Sequence, residues 1–251
     1  MTRRICISGA SSGIGARIAV DLAREGHHLT LLARRQNLLD EVAEQARAAG
    51  ATSVTPLAVD LTVPEQVRPV LEQAGRFDVV VAAAGANAAL AADAQTHLKG
   101  MAWAAWHWEA NFRANVLSAV TLLEGLRELD ALAEGASIVL LSSIAAYRGS
   151  GSGSYGGSKA ALHPYAYDLA AALGPQGIRV NVVAPGYIAE TNFFQGQMSE
   201  QRHETLVGQT LIGRAGMPDD VSETVRWLTS AGARHVTGQI IQVNGGASLG
   251  H

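Results

Sequence analysis

Ile5-Cys6-Ile7-Ser8-Gly9-Ala10-Ser11-Ser12-Gly13-Ile14-Gly15-Ala16 begins as an apolar, β-branched run, passes through a turn with three glycines, and enters an amphipathic stretch that continues to Arg24. That order reads as strand, tight turn, helix. Each glycine has its own physical reason. Gly9 permits the turn, Gly13 lets backbone approach a pyrophosphate, and Gly15 lets the helix pack on the strand. With Ser11, Ser12 and Ile14 they form a candidate phosphate cradle, because the helix N-terminus offers free N–H groups and positive dipole. The spacing is G-x-x-x-G-x-G rather than G-x-G-x-x-G, and a strand-to-helix turn can need glycine for packing alone. Its position directly after a first strand favours nucleotide binding.

Outward from this unit, strand and helix alternate along the chain. Apolar runs predict strands at 4–8, 29–33, 53–58, 78–82, 137–141, 179–183 and 239–243. Helical patterns cover 37–49, 64–73, 109–129, 155–173 and 218–228. The alternation predicts an α/β fold of the Rossmann type: a doubly wound, seven-stranded parallel sheet with helices on both faces. A single domain is expected over 1–251, with no linker. Two irregular segments, 86–102 and 187–211, follow strand C-termini, the edge where open α/β sheets bind ligands.

The chain has 17 arginines but only two lysines, Lys99 and Lys159, and Lys159 follows Tyr155 by four residues. On a helix this spacing puts both on one face, where an ammonium is expected to lower the phenol's pKa and make it a usable acid/base. The plain alternative is a surface Tyr/Lys pair. Upstream, Ser142 and Ser143 end the buried run 138–141, and a loop of small residues, 149–153, leads into the Tyr155 helix. At the end of the second strand stand Arg34 and Arg35, with no Asp or Glu between Leu29 and Leu39. A carboxylate there accepts a ribose 2′-hydroxyl, whereas arginine accommodates a 2′-phosphate, so NADPH/NADP+ is expected, with NADH as the alternative.

Together these residues resemble the short-chain dehydrogenase/reductase family, single-domain branch, over essentially the whole chain. The stretch Ser8 to Gly15 resembles the family's TGxxxGIG turn, and Tyr155-Gly156-Gly157-Ser158-Lys159 its YxxxK. The resemblance implies that Asn115 is a catalytic asparagine on the long central helix, with Trp108 seven residues before it. Pro185-Gly186-Tyr187-Ile188 is similar to the PG turn that holds the nicotinamide carboxamide, through Pro185, Gly186 and Ile188. Asp60 with Leu61, and Ala84 with Gly85, fall where the family contacts the adenosine half. Gly238-Gln239 and 243–246 resemble the last strand and its glycine exit.

Three departures from the family pattern stand out. NNAG is replaced by Ala82-Ala83-Ala84-Gly85, which removes side-chain hydrogen bonds that pin the central sheet. The serine-to-tyrosine interval is one residue short if Ser143 is the catalytic serine; strand register favours Ser143, and the customary interval favours Ser142. Glu190 stands where a threonine usually follows the PG turn, with Thr191 one place later.

The resemblance implies an NADPH-dependent reductase that converts a ketone to a secondary alcohol, akin to 3-oxoacyl carrier-protein reductases and polyketide ketoreductases. Asn115, Ser143, Tyr155 and Lys159 would be the catalytic set. Tyr187, Phe193 and Phe194 would face substrate with Ser143 and Tyr155, under a lid at about 187–211 that also holds Met198. Their apolar and aromatic character suits a bulky ketone. The alternatives are an NAD(H)-dependent alcohol dehydrogenase and a non-catalytic dinucleotide sensor; an extended-branch epimerase would need a larger C-terminal region. A homotetramer is implied, with a dimer as the alternative.

Net charge is −3 with no block of like charge, so no nucleic-acid partner is expected. No apolar run reaches the length of a membrane span, and the first strand starts too early for a leader, so a cytoplasmic location is expected. Cys6 is expected to be buried and inert, and the eight histidines show no metal-ligand spacing. Trp103, Trp106 and Trp108 read as core packing against the long helix, and His27, His28 and His163 as structural.

Overall fold

The computed structural model describes residues 2–91, 94–149, 151, 153–194, 196 and 198–250. Ser150 and Ser152 of the small-residue loop, and Gln195 and Gln197 of the lid segment, lie outside the described residues. Seven strands pair in parallel in the order β3-β2-β1-β4-β5-β6-β7. They are β1 (Arg4–Ser8), β2 (His28–Ala33), β3 (Ser53–Ala58), β4 (Phe77–Ala82), β5 (Leu132–Leu141), β6 (Arg179–Pro185) and β7 (Ile240–Val243). The order reverses between β1 and β4, which opens a crevice at their C-terminal ends.

Strand side chains alternate between two apolar layers. Ile5, Ile7, Val79, Val81 and Val139 pack under α1 (Gly13–Ala23), α2 (Gln36–Ala49) and α9 (Pro218–Thr229). Cys6, Val80, Ile138 and Leu140 face α3 (Pro64–Ala74), α5 (Ser118–Glu128) and α7 (Leu162–Leu173) on the other side. Phe77 joins this second layer although Val79 lies in the first, because the β4–β5 register shifts between them. Pro56 falls on β3, the edge strand, where its missing N–H costs no central ladder bond. Cys6 is fully buried, and burial pushes its thiol up to about 12, so it carries no thiolate chemistry.

The chain departs from its sequence pattern in four places. β5 starts at Leu132, five residues before the expected Ser137, because the exposed Glu134 and Gly135 interrupt its apolar run. The central helix starts at Gly100, nine residues before the expected Glu109: α4 (Gly100–Phe112) continues through a π-turn (Arg113–Leu117) into α5. Met101, Trp103, Trp106 and Trp108 spread apolar groups around this first part, so no single stripe marks it as helix. The expected helix over 155–173 is two, α6 (Gly153–Ala160) and α7, broken at Ala161. Pro164 explains the break, since its ring lacks an N–H and crowds the carbonyl four residues back, on Ala160. The lid segment contains a short 3-10 turn, Asn192–Phe194, and a helix, α8 (Glu200–Gly208).

Two further corrections concern side chains. The tryptophans are not core: Trp103 and Trp106 are half-buried on α4 itself, and Trp108 is 47% exposed, lying against Gly153 and Gly157 of α6. Loss of the family's asparagines does not leave the sheet unpinned. Ser8 Oγ accepts the Ala84 N–H at 3.1 Å, and Asn111 and Asn115 hold the following loop.

Candidate active site

The crevice begins where the β1 turn meets the β4 loop. A Cβ on Gly9 would fall 2.7 Å from both the Ala83 carbonyl oxygen and the Ala84 nitrogen, so only glycine admits this approach. Gly15 sits under the Gly9 carbonyl, where a Cβ would come within 2.3 Å. Gly13 adopts φ +56°, the left-handed region that favours glycine, and carries the chain into α1. At that helix start Ser12 makes no side-chain cap bond and the first turn holds no acid, so the N–H groups remain available to an anion. Half-buried Ile14 follows on the first turn.

Arg35 closes one side of this cradle. Its Nη2 lies 3.4 Å from both the Ser11 and the Ser12 hydroxyls. Arg34 is directed electrostatically toward Asp60 instead. Burial alone would raise the Asp60 carboxyl, but bonds from the Thr62 N–H (2.9 Å) and hydroxyl (2.7 Å), with the charges of Arg34 and Arg113, hold it below the usual range. Asp60 therefore has a turn-forming role in addition to any ligand contact. Leu61 is buried, and its carbonyl accepts the Thr121 hydroxyl. These groups fit a phosphorylated dinucleotide: a cradle that a Cβ would fill, open helix N–H groups, and a cation beside two hydroxyls.

Tyr155 and Lys159 stand one turn apart on α6, both buried. The Ser143 hydroxyl stands close enough to the Tyr155 phenol to lower it, and also caps the short 3-10 turn (Ile144–Ala146) by accepting the Ala145 N–H at 3.2 Å. Ser142 faces away, toward Lys159 O (3.0 Å) and His163 Nε2 (2.8 Å). The geometry thus brings Ser143, and not Ser142, to Tyr155. The Lys159 ammonium donates to the Leu141 carbonyl at 2.9 Å. The expected lowering of the phenol is not found: burial pushes Tyr155 up to about 12, outweighing the Ser143 hydroxyl, which lowers it. Burial likewise brings Lys159 down to about 8. Desolvation dominates both groups because the packing around them excludes water.

Helix α4 holds this pair through a ladder of polar side chains. His107, Asn111 and Asn115 repeat at four-residue intervals, as do Ser154 and Ser158 on α6. Asn111 Nδ2 donates to Ser154 Oγ at 3.0 Å and Asn115 Nδ2 to Ser158 Oγ at 3.1 Å, while Ser154 meets His107 Nδ1 at 3.1 Å. Asn115 also holds Ala86, accepting its N–H at 2.9 Å and donating to its carbonyl at 2.8 Å. Its amide is therefore fully engaged as a clamp. The π-turn around Asn115 supplies the rotation that directs it there, and such turns recur at functional sites.

The PG turn leaves β6 at Pro185. Gly186 donates to the Val243 carbonyl at 2.9 Å and leaves no room for a side chain beside Asn244. Ile188 bridges to Gly216. Glu190 then takes φ +54°, at a cost of about 1 kcal/mol for a residue with a Cβ. That turn absorbs one residue and brings Thr191 to 3.7 Å from where a Gly13 Cβ would lie. Beyond it, the Phe193 ring covers Tyr155 with centroids 5.6 Å apart. Phe194 lies 5.0 Å from Phe193 and 5.9 Å from Tyr187, with the Arg202 guanidinium 5.2 Å from its ring. The Tyr187 phenol is engaged by His203 Nδ1 at 2.8 Å.

Sequence reasoning missed Asn111, Ser154 and Ser158 as site residues, and marked Thr191 as a displaced threonine without its contact to Gly13. The four-residue repeat was a usable signal for the first three. Nothing local could indicate that Thr191 meets Gly13, since the contact depends on the backbone of Glu190.

A family model described as Enoyl-(Acyl carrier protein) reductase matches residues 9–248. Among curated proteins, an oxidoreductase of Methylorubrum extorquens is 35% identical, covering 96% of this chain and 95% of its own. A 3-oxoacyl-(acyl-carrier-protein) reductase of Staphylococcus aureus is 30% identical and covers 98% of each. A short-chain dehydrogenase/reductase from Mycobacterium marinum superposes with a TM-score of 0.85 at 27% identity, over 99% of this chain and 96% of that one. A short-chain dehydrogenase from Burkholderia cenocepacia, solved in complex with NADP, gives 0.83 at 26% identity, over 98% and 97%. The chain belongs to the short-chain dehydrogenase/reductase family of NAD(P)-dependent oxidoreductases. No helix among its described residues is long and apolar enough to cross a membrane.

Gly85 tests how tightly the site is built. A Cβ there would lie 2.6 Å from Asn115 Oδ1 and 2.7 Å from Lys159 Nζ. Gly85→Ala is expected to displace the ammonium and cut turnover at least about tenfold, while far-UV circular dichroism stays native. Unchanged turnover would mean that Lys159 tolerates displacement.

Proposed function

We propose that this protein is an NADPH-dependent ketoreductase that converts a bulky, apolar or aromatic ketone to a secondary alcohol. The observation that carries the reading is the buried Tyr155, one turn from Lys159, with Ser143 beside it and the Phe193 ring over it at the mouth of the dinucleotide crevice. When bound, the reduced nicotinamide supplies hydride to the carbonyl carbon. Ser143 holds the carbonyl oxygen and Tyr155 gives it a proton as alkoxide character develops. A phenol held near 12 starts protonated at neutral pH, which is the state a reductive proton donor needs. By family resemblance, Lys159 holds nicotinamide-ribose hydroxyls and Asn115 holds a water that connects Lys159 to solvent.

The preference for NADPH rests on Arg35 beside Ser11 and Ser12, with Arg34 near Asp60. The Burkholderia relative's complex with NADP agrees with it. The ketone class rests on Phe193, Phe194 and Tyr187. These rings suit β-ketoacyl thioesters, polyketide intermediates or polycyclic ketones, since burying apolar surface is worth about 25 cal/mol per Å².

The direct test is NADPH oxidation with a panel of such ketones and a small polar one, a triose. Bulky ketones should give the higher kcat/KM, and Tyr155→Phe should lose about 10²–10⁴-fold in turnover while NADPH affinity holds. Activity of the variant within tenfold of wild type would remove Tyr155 from the chemistry. A triose preferred over every bulky ketone would overturn the lid reading.

Cofactor choice is measured separately. NADPH should bind about ten- to hundredfold more tightly than NADH by calorimetry. The Arg34→Ala/Arg35→Ala double variant should lose that discrimination. Equal affinities in the wild type would refute the assignment.

We also propose a homotetramer. Trp108, Phe112 and Leu117 on the long helix and Tyr167 on α7 are exposed apolar groups, and β7 keeps Ile240 and Ile241 only half-buried. Light scattering at micromolar concentration should return a four-chain mass; a monomer mass would contradict the proposal.

A further inference from the structure

Ser142 and His163 play no part in the reaction as proposed, yet both are engaged at Lys159. Ser142 is 5% exposed, with Oγ 3.0 Å from the Lys159 carbonyl oxygen and 2.8 Å from His163 Nε2. A hydroxyl has one proton to give. The Lys159 carbonyl can only accept, so Ser142 donates to it and must itself accept from His163. That fixes the imidazole with its hydrogen on Nε2. The ring lies 5.2 Å from that of Tyr147, and burial favours the neutral form. One residue earlier, the Leu141 carbonyl takes the Lys159 ammonium at 2.9 Å. Consecutive residues at the end of β5 therefore hold both ends of Lys159, Leu141 its side chain and Ser142 its backbone.

This anchoring has a mechanical reason. Pro164 breaks the helix at Ala161, so Lys159 stands in the last turn of α6, where a helix frays most readily. The bond from Ser142 to its carbonyl ties this fraying end to the residue that follows β5. His163 lies just past the break and keeps the Ser142 hydroxyl from rotating away.

We propose that His163 is a positioning residue: by donating Nε2–H to Ser142 it holds the Ser142 hydroxyl on the Lys159 carbonyl, and so fixes the Lys159 ammonium relative to Tyr155. The claim rests on the reading of Tyr155 and Lys159 given above. It also divides the two adjacent serines, Ser143 serving the phenol and Ser142 the lysine.

The composition provides a clean test, because Lys99, which is exposed, and Lys159 are the only lysines. Protein labelled with 13C at lysine Cε should give two lysine signals, with Lys99 as the internal reference. His163→Phe keeps a ring but removes the donor; His163→Gln offers an amide N–H in its place. In His163→Phe and in Ser142→Ala the Lys159 signal should shift or broaden while that of Lys99 stays fixed. Turnover of the best ketone should fall about two- to tenfold, the worth of one hydrogen bond, with KM for the ketone unchanged. His163→Gln should recover both readouts, and the double variant should be no worse than the poorer single one.

A wild-type Lys159 signal and turnover in His163→Phe would overturn the proposal, as would losses that add in the double variant. Should His163→Phe fail to fold, Ser142→Ala against the wild type decides the same point. If the wild type turns over no ketone, the ketoreductase reading fails, and the lysine signal still decides the positioning claim.

Discussion

The close approach of the β1 turn to the β4 loop is the constraint on which the site depends. Gly9 lies against the Ala83 and Ala84 backbone, and Ser8 ties the two strands together by accepting the Ala84 N–H. Because strand order reverses there, no helix crosses the gap, and the crevice stays open to ligand. Gly15 lets α1 pack against the same turn, which aims the helix N-terminus along the crevice. Gly85, the next residue after Ala84, leaves room for Lys159 and Asn115. A side chain at any of these three glycines would close space that the next layer uses.

The side chains of the candidate site are held by polar contacts within an otherwise apolar interior. Asn111 and Asn115 bind both the loop after β4 and the serines of α6. A buried polar group left unpaired is costly, so a ladder in which each amide is satisfied admits few alternative registers. This explains how the chain dispenses with asparagines at Ala82 and Ala83: the Ala84 N–H finds its acceptor on Ser8, and those of Ala86 and Ala88 find theirs on Asn115 and Asn111.

Most of the fold could be read from local pattern. Strands with β-branched, fully buried side chains and the glycine turn each carry a signal within a few residues, and the amphipathic stretches of α2, α3 and α9 mark those helices to within a residue of their ends, whereas α1 starts three residues earlier, inside the glycine turn. The exceptions have separate physical causes. The first turns of α4 carry tryptophans on several sides, so no periodicity marks them, and Trp108 finds its packing partners on glycines of α6 more than forty residues away. The break at Ala161 was visible as Pro164, but the Tyr155–Lys159 spacing before it and the apolar, alanine-rich run after it read as one helix. Within the site, residue types and spacing pointed to Tyr155, Lys159 and the serine pair; which serine meets the phenol depended on loop geometry. The phenol titrates opposite to expectation because spacing shows a neighbouring cation and says nothing about exclusion of water.

The π-turn at Arg113–Leu117 places an extra residue between two halves of one long rod. An α-helix advances about 100° per residue, so that residue sets the faces of the two halves independently. Before it, His107 and Asn111 address α6, as Asn115 does within it; after it, Ala119, Leu122, Leu123 and Leu126 address the sheet. A regular helix of this length would have had to choose between the two partners. The local defect acts as a rotary coupling: the part that shapes the pocket can drift in sequence without re-indexing the part that packs the core.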